Sequence, residues 1–114
     1  MQIKASQREN QRYLVYDIIS EQSLPTAAIT TTIQTTIQDY FGIQGLAKAN
    51  IHYLINEGKR GIIQTNAKNV NELRTALTFV KHINQQSVIV RTINVSGMYK
   101  KAETAMKNIL TKEE

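Results

Sequence analysis

Seven cations, Lys48, Lys59, Arg60, Arg91, Lys100, Lys101 and Lys107, fall at the ends of apolar runs, beside glycines or along the last amphipathic stretch. Lysine carries a mobile point charge and arginine a planar fork of donors, and both match phosphate oxygens. Arg60 stands out because Gly58 and Gly61 flank it, and on a tight hairpin a guanidinium reaches a phosphate or stacks on a base with little backbone in the way. Lys68, Arg74 and Lys81 read as ordinary solvated helix flanks. A solvated surface accounts equally well for any single member of the seven. At Ser96-Gly97 a hydroxyl stands where the cap of a following helix belongs, and the free N–H groups of that first turn also suit an anion, although capping alone explains the serine.

Catalytic patterns are sparse. His52 and His82 are thirty residues apart (about eight helical turns if helical throughout), and neither has a partner at the i, i+4 spacing of a helical metal site. Asp17 and Asp39 are single carboxylates with no second acid at a recognisable spacing; Asp39 suits solvent, and Asp17 suits a strand end or a basic neighbour. There is no cysteine, which removes disulfides, thiolate metal sites and thiol nucleophiles and fits a reducing compartment. With 14 Lys+Arg against 9 Asp+Glu in 114 residues, the formal charge is +5 and the pI about 9.6, a balance that favours a polyanionic partner. No apolar run approaches the roughly 20 residues of a membrane span, and the first twelve residues are too polar for a signal peptide. These features predict a soluble cytoplasmic protein of one small domain.

The elements that must position these cations follow from the hydrophobic period. Residues 12–20 are β-branched and aromatic on both alternating faces apart from Asp17, as in a central strand covered on both sides. Over 23–41, Ile29, Ile33, Ile37 and Tyr40 or Phe41 recur at helical spacing, with Pro25 in the first turn and Gly42 as the stop. Residues 51–55 and 60–65 read as strands joined by the hairpin Asn56-Glu57-Gly58-Lys59. Asn69 and Glu72 resemble a capping box that opens a helix with the stripe Val70, Leu73, Ala76, Leu77 and Val80, and His82 falls in its last turn. A final strand over 88–95 leads into a helix from Met98 to about Leu110, with Met98, Ala102, Ala105, Met106 and Ile109 on one side. Residues 1–11 form a polar arm with almost nothing to bury.

The order β-α-β-β-α-β plus a helix is the α+β, ferredoxin-like split βαβ plan, a two-layer sandwich with an antiparallel four-stranded sheet and an added C-terminal helix on or beside it. Acylphosphatases share that order but need a glycine-rich phosphate loop with an arginine after the first strand, where this chain has Glu21-Gln22-Ser23-Leu24-Pro25. RNA-recognition domains stack bases on aromatics of the central strands, whereas Arg60-Gly61-Ile62-Ile63-Gln64-Thr65 contains none. Tyr13, Tyr16 and Tyr53 are strand aromatics better suited to packing than to stacking. Basic residues are therefore the stronger candidates for contact.

Four segments in series resemble archaeal ribonuclease P protein component 2, the counterpart of the eukaryotic Pop-five subunit. They are Arg8-Glu9-Asn10-Gln11-Arg12-Tyr13-Leu14-Val15-Tyr16; Phe41-Gly42 through Gly45-Leu46-Ala47-Lys48-Ala49; Lys59-Arg60-Gly61-Ile62-Ile63; and Val88-Ile89-Val90-Arg91 through Val95-Ser96-Gly97. The resemblance implies a non-catalytic subunit of an RNA-based endonuclease that removes the 5′ leader from precursor tRNA. Hydrolysis would belong to the RNA and its magnesium, with no cofactor bound by the protein. Implied partners are the ribonuclease P RNA, component 3 and the other ribonuclease P proteins, with precursor tRNA met indirectly. With Arg12 from the first segment, the RNA-binding candidates are Arg12, Lys48, Lys59, Arg60, Arg91, Lys100 and Lys101, within a single RNA-binding domain over 12–110. Two rivals stay open here: a ferredoxin-like ligand-sensing or dimerisation module, and a hydrolase of the acylphosphatase type.

Overall fold

The computed structural model describes residues 10–113, with side chains to residue 108. Most of the expected arm, residues 1–9 including Arg8 and Glu9, and the side chain of Ile109 lie outside the described residues. Strand β1 (Gln11–Ile19) is followed by helix α1 (Thr26–Ala49), strands β2 (His52–Glu57) and β3 (Arg60–Asn66), helix α2 (Val70–Thr78), the short strands β4 (His82–Ile83) and β5 (Gln86–Ser87), strand β6 (Ile89–Ser96) and helix α3 (Tyr99–Glu113). The main sheet is antiparallel in the order β2-β3-β1-β6, and β4 pairs with β5 in a separate two-stranded sheet.

Strand β1 has core on both sides, as an apolar run interrupted by Asp17 requires. Leu14, Tyr16 and Ile18 meet Ile29, Ile33 and Ile37 of α1 and Leu73, Ala76 and Leu77 of α2. On the opposite face Val15 joins Ile62, Ala102 and Met106, with Tyr13, Ile55, Ile93 and Tyr99 packed against them. Helix α3 thus makes a third layer over that face. Each fully buried aliphatic side chain contributes roughly 1.5–3 kcal/mol, so this small second cluster suffices to hold one helix down. No helix among the described residues is long and apolar enough to cross a membrane.

The threonines of α1 are accommodated by local bonding. Thr30 Oγ1 donates to the Thr26 carbonyl at 3.0 Å and Thr36 Oγ1 to that of Thr32 at 2.8 Å, which satisfies the hydroxyls without leaving the helix. Pro25 lies just before the first turn, not within it, and its carbonyl accepts from Ile29 N–H.

Three further local expectations are corrected. Gly42 (φ 72°) interrupts α1 but does not end it; the helix resumes and runs to Ala49, where Asn50 closes it in the left-handed conformation. The capping box does not form, because a 3-10 turn over Ala67–Asn69 already winds the chain and takes Asn69 to φ −111°, ψ 1°, outside the extended region a cap needs. Its side chain instead lies 3.4 Å from Glu72 Oε1. His82 belongs to β4, since α2 stops at Thr78. The β4–β5 ribbon itself, turned through Asn84 and Gln85 at positive φ, adds a short hairpin where the hydrophobic period marks no element.

Candidate nucleic-acid interface

Register across β1 determines where the two arginine candidates go. Asp17 is opposite Arg60 of β3 on one side and opposite Arg91 of β6 on the other. Side chains of directly opposed residues share a face, so both guanidiniums converge on one carboxylate. Arg91 Nε and Nη2 donate to Asp17 Oδ2 at 3.0 and 2.8 Å, and Arg60 Nε lies 3.6 Å from Oδ1. Asp17 is buried, and the Arg60 side chain is only 14% exposed against 50% for Arg91. Lys59 extends the cluster, its Nζ 3.4 Å from the Ser20 carbonyl and its own carbonyl accepting from Ile18 N–H. These groups line a hollow of about 240 Å³ with a net surplus of cations.

Arg60 is therefore not the free guanidinium expected of a hairpin tip. As the first residue of β3 it packs inward against Asp17, and of the pair only Arg91 keeps much of its surface in solvent. Gly61 has a steric reason: a methyl there would collide with Tyr16 Oη and the Ile55 carbonyl. Burial, with Tyr53 as a lesser cause, pushes the Tyr16 phenol from 10.0 up to about 12, and burial likewise pushes Tyr53 up to about 12.

The other end of β1 is arranged differently. Lys48, in the last turn of α1, and Lys68, after β3, both line a hollow of about 530 Å³ with Asn10, Gln11, Ala47, Asn50 and Asn66. Both lysines are exposed. Lys68, taken from sequence as a solvated flank, is thus brought beside Lys48, because the Gln11–Asn66 pairing sets the end of β3 next to the start of β1. Nothing local in the sequence signals that meeting.

Lys100 and Lys101 lie on the outer side of α3 in a shallow depression of about 310 Å³ with Thr104, Ala105 and Asn108. Lys107 is tied to Glu103, 3.9 Å away. Ser96 Oγ accepts from Met98 N–H at 3.1 Å, a bond that stays in the turn ahead of α3: the helix opens at Tyr99, and Met98, whose carbonyl accepts from Ala102 N–H, takes the cap position expected of Ser96. Arg12 is half-buried, donates from Nη1 to the Gln11 carbonyl at 2.8 Å and lies beside Gly97. The structure thus distributes the seven candidates over three places, with Arg12 near the turn into α3.

The sheet offers little room for stacked bases. Tyr13 packs edge-on to Tyr99 of α3, with ring centroids 5.7 Å apart, and Tyr16 is buried; Tyr53 is partly exposed on the edge strand β2. His52 is exposed and bonded to Asn50 Oδ1 at 3.0 Å, and His82 is exposed in β4. Among the described residues no three His, Cys, Asp or Glu side chains come together as a metal site.

Known proteins place this geometry in a family. The chain is 34% identical to ribonuclease P protein component 2 of Thermococcus gammatolerans over 82% of its own length and 80% of that protein's. It is 25% identical to the component 2 protein of Methanocaldococcus jannaschii, with 84% and 72% covered, and 25% identical to the ribonuclease P/MRP protein subunit POP5 of Schizosaccharomyces pombe, with 86% and 84% covered. A chain in the cryo-EM structure of yeast ribonuclease MRP shares the fold at TM-score 0.62 and 12% identity, with 92% of each chain covered. The model of the Rpp14/Pop5 family matches residues 12–107, and the chain belongs to that family.

Proposed function

We propose that this protein is a subunit of ribonuclease P that binds and stabilises the catalytic RNA responsible for removing the 5′ leader from precursor tRNA. Membership of the Rpp14/Pop5 family carries this reading. The separated cation groups, at both ends of β1 and along α3, support it, because a folded RNA brings phosphates together over a wide surface. Hydrolysis is assigned to the RNA and its magnesium, and the protein's part is to neutralise closely packed phosphates. Component 3 and the other ribonuclease P proteins are the protein partners in this reading. The exposed Tyr40 and Phe79, whose ring centroids are 5.9 Å apart, with Ile43 exposed just beyond the bend in α1, offer such a partner an apolar surface.

Reconstitution with a ribonuclease P RNA and component 3 tests the proposal. The protein is expected to raise cleavage of precursor tRNA most clearly at limiting magnesium, and to have no nuclease activity alone. Log affinity for the RNA should fall with log salt by roughly 0.7–0.9 per phosphate contact. Cleavage at the mature 5′ end by purified, RNA-free protein would overturn the division of roles, and an RNA whose activity is indifferent to the protein would overturn the subunit assignment.

A further inference from the structure

The hollow at the Asn10 end of β1 has a composition unlike the other cation groups. Four carboxamides, Asn10, Gln11, Asn50 and Asn66, line it with Lys48 and Lys68, and among the described residues no acidic side chain does. A helix C-terminus ordinarily turns unpaired carbonyls outward and disfavours anions. Here three of the last four carbonyls of α1 are occupied: Leu46 O accepts from Asn50 N–H at 3.1 Å, Lys48 O from Asn66 Nδ2 at 2.5 Å, and Ala49 O from Thr65 Oγ1 at 2.8 Å. With those acceptors engaged, Lys48 and Lys68 are the charged groups among the described residues of the lining.

A bare anion uses lysines but has no need of carboxamides, which offer a donor and an acceptor side by side. Nucleobase edges present that same pairing, and Asn and Gln are the side chains that read it bidentately. The volume, about 530 Å³, falls in the range of roughly 300–1,000 Å³ typical of small-molecule sites, enough for one nucleotide and too small for a duplex. Among the described residues no aromatic side chain lines the hollow, so recognition would run through edges and phosphate.

We propose that this hollow binds a single unpaired RNA nucleotide, its phosphate held by Lys48 and Lys68 and its base edge met by Asn10, Asn50 and Asn66. His52, bonded to Asn50 Oδ1 at 3.0 Å, fixes the orientation of that carboxamide. The site rests on the RNA-binding reading above and adds to it the class of ligand taken at this end of the molecule.

The test uses the full chain with fluorescently labelled single-stranded heptamers of each base, a duplex of equal length, and a folded ribonuclease P RNA. Affinity is read by anisotropy, and the asparagine side-chain amides are followed by NMR. The single strands should bind more tightly than the duplex and shift the Asn10, Asn50 and Asn66 amides. Lys48→Ala with Lys68→Ala should weaken single-strand binding by about tenfold or more. Asn50→Gly, which keeps the left-handed backbone but removes the carboxamide, should flatten the preference among bases. If the heptamers do not bind, or bind the variants as they bind the parent, the site is overturned, and retained affinity for the folded RNA would leave the subunit assignment standing. If no RNA binds, both fall.

Discussion

The two ends of β1 treat positive charge in opposite ways. At Asp17 a buried carboxylate draws Arg91 and Arg60 into the sheet, so their first role is to hold three strands in register. At Asn10 the charges stay on exposed lysines around a hollow lined by carboxamides, and the local bonds there serve to cap α1. Arginine suits the first place because its fork bonds a carboxylate with fixed geometry, and lysine the second because it remains a mobile point charge. Cationic residues in a basic protein are thus not equivalent, and burial of a counter-ion is what separates them.

The largest expected effect tests the Asp17 end. Asp17→Ala leaves Arg60 facing a buried site without its carboxylate, and breaking such a pair typically destabilises by about 3 kcal/mol or more. Denaturant unfolding checks it; a loss no greater than that of a surface substitution would erase the contrast between the ends.

Tyr16, next to Asp17, sharpens the picture through pH. Its phenol titrates at about 12 in the folded protein against 10.0 in an open chain, so below pH 10 the neutral form prevails in both states and stability is undiminished. As pH rises from 10 towards 12 the unfolded chain releases its proton first and stability falls, by about 2 kcal/mol for a two-unit shift. Denaturant midpoints across that window should show the decline, and Tyr16→Phe should remove the share due to Tyr16 while leaving that of Tyr53, whose phenol burial also pushes up to about 12. A parent curve that stays flat to about pH 12 would show that the phenol is not buried as described.

The smallest effect belongs to the other end. Lys48→Ala and Lys68→Ala should each alter stability by no more than about 0.5 kcal/mol, as solvent-exposed substitutions usually do. RNA affinity should fall even so. Unfolding curves measured beside binding check this, and a larger stability loss would mean that these lysines, like Arg60, are structural.

The sequence by itself determined the elements and the core. Alternation over 12–20 and the helical spacing of Ile29, Ile33 and Ile37 each follow from burial of one face or two, and every one of those isoleucines is buried. The four family segments were equally legible, because they consist of short contiguous residues. Local competition was harder to read: the 3-10 turn that displaced the Asn69 cap and the bend that let α1 pass Gly42 depend on what the neighbouring turns pack against. Only the tertiary structure decided which cations are held and which are exposed. Arg60 and Arg91 are separated from Asp17 by 43 and 74 positions and meet it through strand register; Lys68 meets Lys48 because β3 ends beside β1. Periodicity specifies which face of an element is apolar, but a charge acquires its partner from the element laid next to it, and no local pattern encodes that distance.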